Sequence, residues 1–585
     1  MKNRTLSLLL LGLISFAFAT TTQAQVPPEQ ARNFQINTTH TGSIAVENLT
    51  PPLTQKWVVN FRQPISYPLI ADGRVFVTVK NSIGHGTRLF ALDATNGSTL
   101  WARPLGGTFW WSAACYENGR VFALNGDGVL RAFDAATGNP IWSNQLPGQF
   151  SFDSAPTVHE GVIYTAGAGS GGTVYAVSAD SGSVLWTAPV VNGSMSSPVV
   201  TSEGVYVSYS CPNVYKLDPA TGATIWEFSN GCSGGGGKTP VLYNERLYVR
   251  DFSHTIHDSN TGTVIGNFSA KNAPVFSGSR GFFLHEDGFV PVVEARDVNT
   301  NAVLWSFAGD GFLQSALLVV NDYVYVGSSL GKLYAIDAAT GQQVWETTAG
   351  SSIPFVDEHN VSQPLTSFAA AEGLLVIPTS TTLVAYARDT TPPETQAFTS
   401  GTAGTNGWHQ SAVQVTLSAT DDLSGVQSTF YRIDAGATQT YSGPFVISAL
   451  GQHTVEYWSV DNSNNVEVPH LLVIKIDTVA PVVTAAANPS TAPKKPQPVT
   501  VTISGSVTDA VSGVSSASFN VIDEYGVAQP SGPVTVQANG TYSFTLTLPA
   551  TKQGSDKNGH LYTIVVMGVD QAGNSATATT TLTIN

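Results

Sequence analysis

Cysteine is nearly missing from this chain: only Cys115, Cys211 and Cys232 occur, and no two are adjacent. A fold of this length does not depend on so few disulfide formers, and the lack of a Cys-x-x-Cys-His run excludes covalently held haem. Charge is scarce as well. Asp, Glu, Lys and Arg make up 11% of the residues, against ~25% in ordinary globular domains, and the net charge is −15 at pH 7. Binding a phosphate backbone requires Lys and Arg to displace its counterions, so nucleic acid is excluded as a partner. After the first residues no apolar run approaches the ~18 residues of a membrane span, and none is expected. The eleven histidines form neither a His-Glu-x-x-His motif nor a convincing metal spacing, so isolated surface or packed histidines are expected.

What the chain has in quantity is turn formers. Its 55 glycines and 32 prolines, with many Ser and Thr, favour short strands over helices. Residues 1–24 read as a secretory leader, with Lys2 and Arg4, an apolar stretch from Leu6 to Phe18, and possible cuts after Ala19 and Ala24. The cut near Ala24 leaves a short polar spacer and is preferred. A secreted or cell-surface protein, extracellular or periplasmic, is expected.

One unit recurs, and internal repetition decides the architecture. Asp and Trp stand eight residues apart as Asp93/Trp101, Asp134/Trp142, Asp218/Trp226, Asp297/Trp305 and Asp337/Trp345. One copy has Ser178 with Trp186, and another has Asp258 with Gly266 where Trp is expected. The Asp opens a tight turn by bonding backbone amides, and the midway residue takes a left-handed conformation. Gly97, Gly138, Gly182, Gly222, Gly262 and Gly341 fill that midway place, and the remaining copy has Asn301, which tolerates positive φ. Each Trp is expected on an outer strand, packed against the next unit. The Trp positions, 39 to 44 residues apart, match the length of a four-stranded propeller blade. Residues 374–377 and 383–386 offer inner strands without an outer one, and Trp57 lies on an outer strand without inner ones. Joining them closes an eighth blade and removes the free sheet edges.

The run Ala91-Leu-Asp-Ala-Thr-Asn-Gly97 to Trp101, with its copies over residues 53–388, resembles the tryptophan-docking repeat of pyrroloquinoline-quinone (PQQ) propellers. The resemblance implies either a quinoprotein dehydrogenase or a non-catalytic relative such as the outer-membrane assembly propeller. The enzymes need PQQ, a Ca²⁺ site near the channel and an Asp base, and several have two adjacent cysteines, which this chain lacks. The fold class expected is all-β, with a leader over 1–24, an eight-bladed propeller over 25–389 and two immunoglobulin-like sandwiches over 390–478 and 479–585. The sandwiches are read from the stiff junctions Asp389-Thr-Thr-Pro-Pro393 and Asp477-Thr-Val-Ala-Pro481, each followed by alternating strands and paired Asp-rich turns.

Loops after the second and fourth strands of each blade share one face, and the channel mouth there is where a ligand is sought. The candidates on it are Trp110, Phe152, Asp153, Lys238, Asp310, Phe312, Asp357, Glu358 and His359, aromatics and charges able to stack and orient a ligand. Cys211 and Cys232 fall in loops flanking one blade and suit a disulfide, whereas Cys115 reads as a buried thiol. Asp421, Asp422 and Asp461 offer carboxylate oxygens for calcium, with Asp509 and Asp570 in the corresponding turns of the last module. Gly327-Ser-Ser-Leu-Gly331 imitates a hydrolase elbow but joins two strands, and Gly234 to Thr239 imitates a phosphate loop without a following helix. The leading expectation is a monomeric binding protein that recognises a protein or a surface glycan and needs no cofactor. Its rival is a PQQ- and calcium-dependent oxidoreductase of alcohols or sugars; a carbohydrate-active enzyme follows only by analogy of domain company.

Overall fold

The computed structural model describes residues 30–46, 48–210, 213–229, 231, 236–250 and 254–585, all strand, turn and loop with no helix among them. The leader and the Cys211–Cys232 pair lie outside the described residues. Two compact units divide the chain, Met1–Arg388 and Asp389–Asn585.

In the first unit, the described residues form eight sheets, each built on four antiparallel strands, and the seventh also takes the short strand Ser43–Ile44 parallel to Leu318–Val320. The first seven span 69–106, 112–145, 157–190, 199–229, 241–267, 275–307 and 318–348. The eighth combines Ala369–Ala371, Leu374–Pro378 and Thr382–Ala387 with the early strand Thr54–Asn60, which pairs with Thr382–Ala387 and sets Trp57 opposite Ala385. The first strand of the eighth sheet contacts the first strand of the first, so the sheets follow one another round a ring.

The repeated residues hold each sheet to the next. At the turn after the third strand, the Asp carboxylate accepts backbone N–H groups, as Asp337 does from Ala339 at 3.1 Å and Thr340 at 2.8 Å. The Thr340 hydroxyl and these amides hold the Asp337 carboxyl below its ordinary pKa. The residue after the Asp, or after Ser178 in one copy, offers its carbonyl, and the outer-strand indole of the preceding sheet donates to it. Among the described residues six tryptophans do so, from Trp57 to Ala94 O (2.9 Å) and Trp101 to Ala135 O (3.0 Å) round to Trp305 and Ala338 O (3.1 Å). Each ring lies on the left-handed glycine of that turn. A Cβ on Gly138 would come 2.5 Å from the Trp101 ring and one on Gly182 2.5 Å from Trp142, so only glycine admits the contact. Within its own sheet each docking ring except Trp57 faces an aromatic two strands in, Phe76 for Trp101, Phe122 for Trp142 and Phe282 for Trp305.

The row of indoles is not uniformly packed away, and Trp142, Trp226, Trp305 and Trp345 are only half-buried where a ring enclosed by the next unit is expected. Trp226 donates to Ser259 O at 3.0 Å and lies on Gly262, yet its side chain is only half-buried. Its strand, Thr224–Ser229, has no buried residue, whereas Val184–Val190 buries alternate residues and leaves Trp186, docked on Pro219 O, 9% exposed. Trp226 therefore holds its neighbour through one face and one hydrogen bond while its outer edge meets solvent. Trp345, also half-buried, packs edge-on to Tyr386 of the eighth sheet instead.

The N-terminal segment runs round the inside of this ring. It bonds in turn to the innermost strand of seven sheets. Ala31 exchanges bonds with Ile70, Arg32 O accepts from Tyr116 and Asn33 Oδ1 from Val158, and Thr38, Thr39, Thr41 and Gly42 carbonyls accept from Val200, Leu242, Phe276 and Val319. Gly42 has φ +58°, and a Cβ there would meet Val275 Cγ1 at 2.3 Å, which explains its identity. His40 is fully buried between the carbonyls of Phe34 (2.7 Å) and Pro198 (3.0 Å). Burial holds its pKa below the ordinary value against the pull of those carbonyls.

The second unit repeats one arrangement twice: a three-stranded and a five-stranded sheet enclosing a core. Val415, Tyr431, Val455 and Ile474 fill the first core, and Ile503, Val521, Tyr562 and Leu582 fill the second. The two stretches read as linkers supply a cap to these modules. Asp389 Oδ2 accepts from Ser424 N at 2.8 Å, and Asp477 Oδ2 from Ser512 N at 3.0 Å.

Candidate functional site

A cavity of about 800 Å³ opens among the loops that follow the second and fourth strands of the fifth and sixth sheets. Its far wall is the long segment 349–368 between the seventh and eighth sheets, which supplies Phe355, Asp357, Glu358 and His359. This segment crosses to other sheets. Leu365 O accepts from Tyr67 N at 2.8 Å, and Glu358 Oε1 accepts from Thr239 N at 2.9 Å.

A buried ion pair anchors the wall. Arg250, at the end of the fifth sheet's second strand, meets Glu358 Oε2 at 2.5 Å, with the two side chains 2% and 4% exposed. Arg250 also donates to Thr239 O at 3.1 Å. Burial alone would raise the Glu358 pKa, but the Arg250 guanidinium and the Thr239 hydroxyl and amide overcome it and hold the carboxylate ionised. Removing one partner strands a buried charge, so Arg250→Met is expected to cost about 3 kcal/mol. Arg250→Met with Glu358→Leu is expected to recover part of that loss, read from urea unfolding midpoints. A single variant as stable as the parent would contradict the anchoring role.

Around this anchor the cavity gathers cations from an acidic chain: Lys238, Arg250 and Lys271, with His254, His285 and His359. The carboxylates are Asp357, Glu358 and Glu286, of which Glu358 is met by Arg250 and Glu286 by Lys271. His254 bonds to Ala270 O at 3.1 Å, and burial first, then the nearby Lys238 and Arg250, push its pKa below the ordinary value. His359 faces Gly237 O at 3.1 Å, and its own amide donates to Asp357. Phe355, 51% exposed, supplies an aromatic edge.

Of the residues expected at the channel mouth, Lys238, Asp357, Glu358 and His359 line this cavity. The others lie elsewhere. Phe152 is 1% exposed and packs between Gly128, Gly167 and Tyr175, so it is a core residue that no ligand reaches. Asp153 is buried beside it and accepts from Ser194 Oγ (2.9 Å) and Met195 N (3.0 Å), with burial raising its pKa. Trp110 belongs to the first sheet's outer loops, where it stacks on His85 at 4.6 Å and donates to Gly84 O. Phe312 is exposed and Asp310 caps its amide, both outside the cavity lining. The sequence reading missed Arg250, His254, Lys271 and His285, which come from separate turns and carry no shared motif.

In the second unit, Asp421 and Asp422 lie within ligand distance of each other, and Asp389 is the third member of their group. Asp461 is not in it, being fully buried and bonded to Asn465 through both backbone and side chain. The later module groups Asp477, Asp509 and Asp570. Among the described residues the first unit gathers no group of three Asp, Glu, His or Cys donors, and the cavity acids Glu358 and Glu286 are already met by cations.

The family model for the outer membrane protein assembly factor BamB matches residues 85–227 and 210–437. The structure of BamB from Moraxella catarrhalis is 18% identical, with 58% of this chain and 98% of that chain covered and a TM-score of 0.44. The quinohemoprotein alcohol dehydrogenase of Comamonas testosteroni is 14% identical, covers 64% and 83%, and has a TM-score of 0.51, a likeness of fold. Tetrathionate hydrolase from Acidithiobacillus ferrooxidans is 25% identical over 161 residues, which is 27% of this chain. The chain thus spans 29% of that relative's length. With the family model covering more than half of its residues, the chain belongs to the BamB family of PQQ-type β-propeller repeat proteins.

Proposed function

We propose that this is an exported recognition protein, in which an eight-bladed propeller carries the binding seat and two immunoglobulin-like sandwiches form a stalk or adhesion unit. The observation that carries the proposal is the cavity beside Arg250 and Glu358. Three Lys or Arg side chains and three histidines converge there with the carboxylates Asp357, Glu358 and Glu286, so the local charge is nearly balanced in a chain of net charge −15. A seat of balanced charge repels an acidic ligand less than the strongly negative chain as a whole does, and its size suits a short segment better than a broad flat surface. Membership of an assembly-factor family favours a protein as the source, so the ligand class is an acidic stretch of a partner polypeptide. The seat needs no catalytic residue and no cofactor.

Calorimetric titration with Glu- and Asp-rich peptides tests this. Saturable binding that weakens with salt is expected, and Lys238→Glu with Lys271→Glu is expected to reduce affinity at least about tenfold. Binding of neutral glycans on an array with no peptide binding would overturn the assignment. A second arm addresses chemistry: with PQQ and Ca²⁺ added, no visible absorption band and no dye reduction with alcohols or sugars are expected. Dye reduction would overturn the non-catalytic reading.

A further inference from the structure

The interface between the fifth and sixth sheets lacks its indole. Register places Gly266 where the other outer strands carry Trp: Gly266 stands opposite Ile256, and Ile256 opposite Tyr248. The same three-strand row reads Trp101, Ala91, Phe76 in the first sheet and Trp305, Ala295, Phe282 in the sixth. The turn that would receive the ring carries Asn301 at φ +58° instead of glycine. Gly266 and Asn301 are therefore one change seen from two sheets, because without a ring above it the receiving position no longer has to be glycine.

The space has not closed. A cavity of about 310 Å³ remains, with Gly266 and Asn301 on its lining and Tyr248, Ile256, Phe268 and Phe283 among its walls. A Cβ on Gly266 would meet only Ile256, at 3.5 Å, an ordinary contact. Ile256 takes up part of the missing ring's volume where most other sheets have Ala. Five of the six receiving glycines are buried beneath their indoles, whereas Asn301 is exposed, so this interface is open to solvent. Val298 O, the carbonyl that would accept the indole N–H, takes Nη1 of Arg246 instead. That bond leaves room for a second donor, as Ala179 O shows by accepting both Trp142 Nε1 and Arg120 Nη1 at 3.0 Å. Arg296 stands at the rim and donates to Asn301 O at 3.2 Å.

We propose that this slot is a binding site for a planar aromatic ring of indole size with an N–H donor, supplied from outside the chain. The ring enters between Gly266 and Asn301, lies against Tyr248 and Phe283, donates to Val298 O and has a guanidinium beside its face. The volume is at the lower end of small-ligand pockets, which limits the occupant to one bicyclic ring or one tryptophan side chain. The slot shares no lining residue with the cavity at Arg250 and Glu358, so it stands or falls separately from the proposed recognition seat.

Ligand-observed fluorine NMR on the full chain tests the assignment, with fluoroindole and N-acetyl-fluorotryptophanamide as probes. Saturable broadening is expected with the parent protein, reduced at least about tenfold in affinity by Gly266→Trp with Asn301→Gly, which fills the slot from within. That double variant is also expected to melt higher than the parent. If it fails to fold, Gly266→Leu serves as the blocking variant. Equal binding of both probes assigns the site to the free ring, and binding of the capped amino acid alone assigns it to a tryptophan residue of a partner. Saturable binding of neither probe, or binding unchanged in the blocked variants, overturns the proposal.

Discussion

Deleting residues 30–46 is expected to destabilise the first unit by at least about 5 kcal/mol, since one deletion removes contacts to seven sheets. The segment's carbonyls and Asn33 accept from Ile70, Tyr116, Val158, Val200, Leu242, Phe276 and Val319. A buried amide left without an acceptor costs about 1–3 kcal/mol, although water entering the vacated axis offsets part of this. Phe34, Ile36, Ile44 and Val46, each at most 5% exposed, would also leave the core. Thermal unfolding followed by circular dichroism reads the effect. An unchanged melting curve would mean that the segment lies on the ring without sealing it.

Trp101→Ala is expected to cost about 4 kcal/mol, the usual loss for a large buried ring. Trp101 is 7% exposed, bonds to Ala135 O and covers Gly138. The receiving side gives the sharper contrast. Gly138→Ala places a Cβ 2.5 Å from the indole at a φ of +66° and is expected to lose more than about 2 kcal/mol. Gly266→Ala, a strand position with open space above it, is expected to be neutral or to stabilise by about 0.5 kcal/mol. Urea titration of the three variants decides between a docked ring and a merely buried one. Equal losses at Gly138 and Gly266 would show that no docking distinguishes them.

The repeat was legible because its chemistry is local. Asp, the left-handed residue and Trp lie within one turn and one strand, so their spacing survives as a pattern in the sequence. What crosses between sheets was not legible. Gly266 and Asn301 each stood out as an exception, yet their connection is a contact between strand and turn that no spacing announces. The half-exposed setting of Trp226 was hidden for the same reason, since its place in the repeat is identical to that of the buried Trp101. The segment 31–44 has no strand alternation, since it bonds mainly through backbone carbonyls to successive inner strands. At the candidate site, Lys238, Asp357, Glu358 and His359 line the cavity together because they sit in loops of one face. Phe152 and Asp153 were misplaced by the same rule, since the loop holding them folds inward and Asp153 is occupied by Ser194 and Met195. Arg250 escaped notice at the end of an apolar strand, where its partner Glu358 is 108 residues away. Asp389, read as part of a linker, is the cap on Ser424.

Ring closure rests on Trp57 seated on Gly97, the contact that joins the eighth sheet to the first. A double-mutant cycle of Trp57→Ala and Gly97→Ala, read by urea unfolding, measures it. A Cβ on Gly97 would meet the Trp57 ring at 2.9 Å, so removing the ring must relieve much of the cost of adding the methyl. A coupling of about 1 kcal/mol or more is expected, whereas losses that add within about 0.3–0.5 kcal/mol would mean the two residues do not touch and the ring is not closed there.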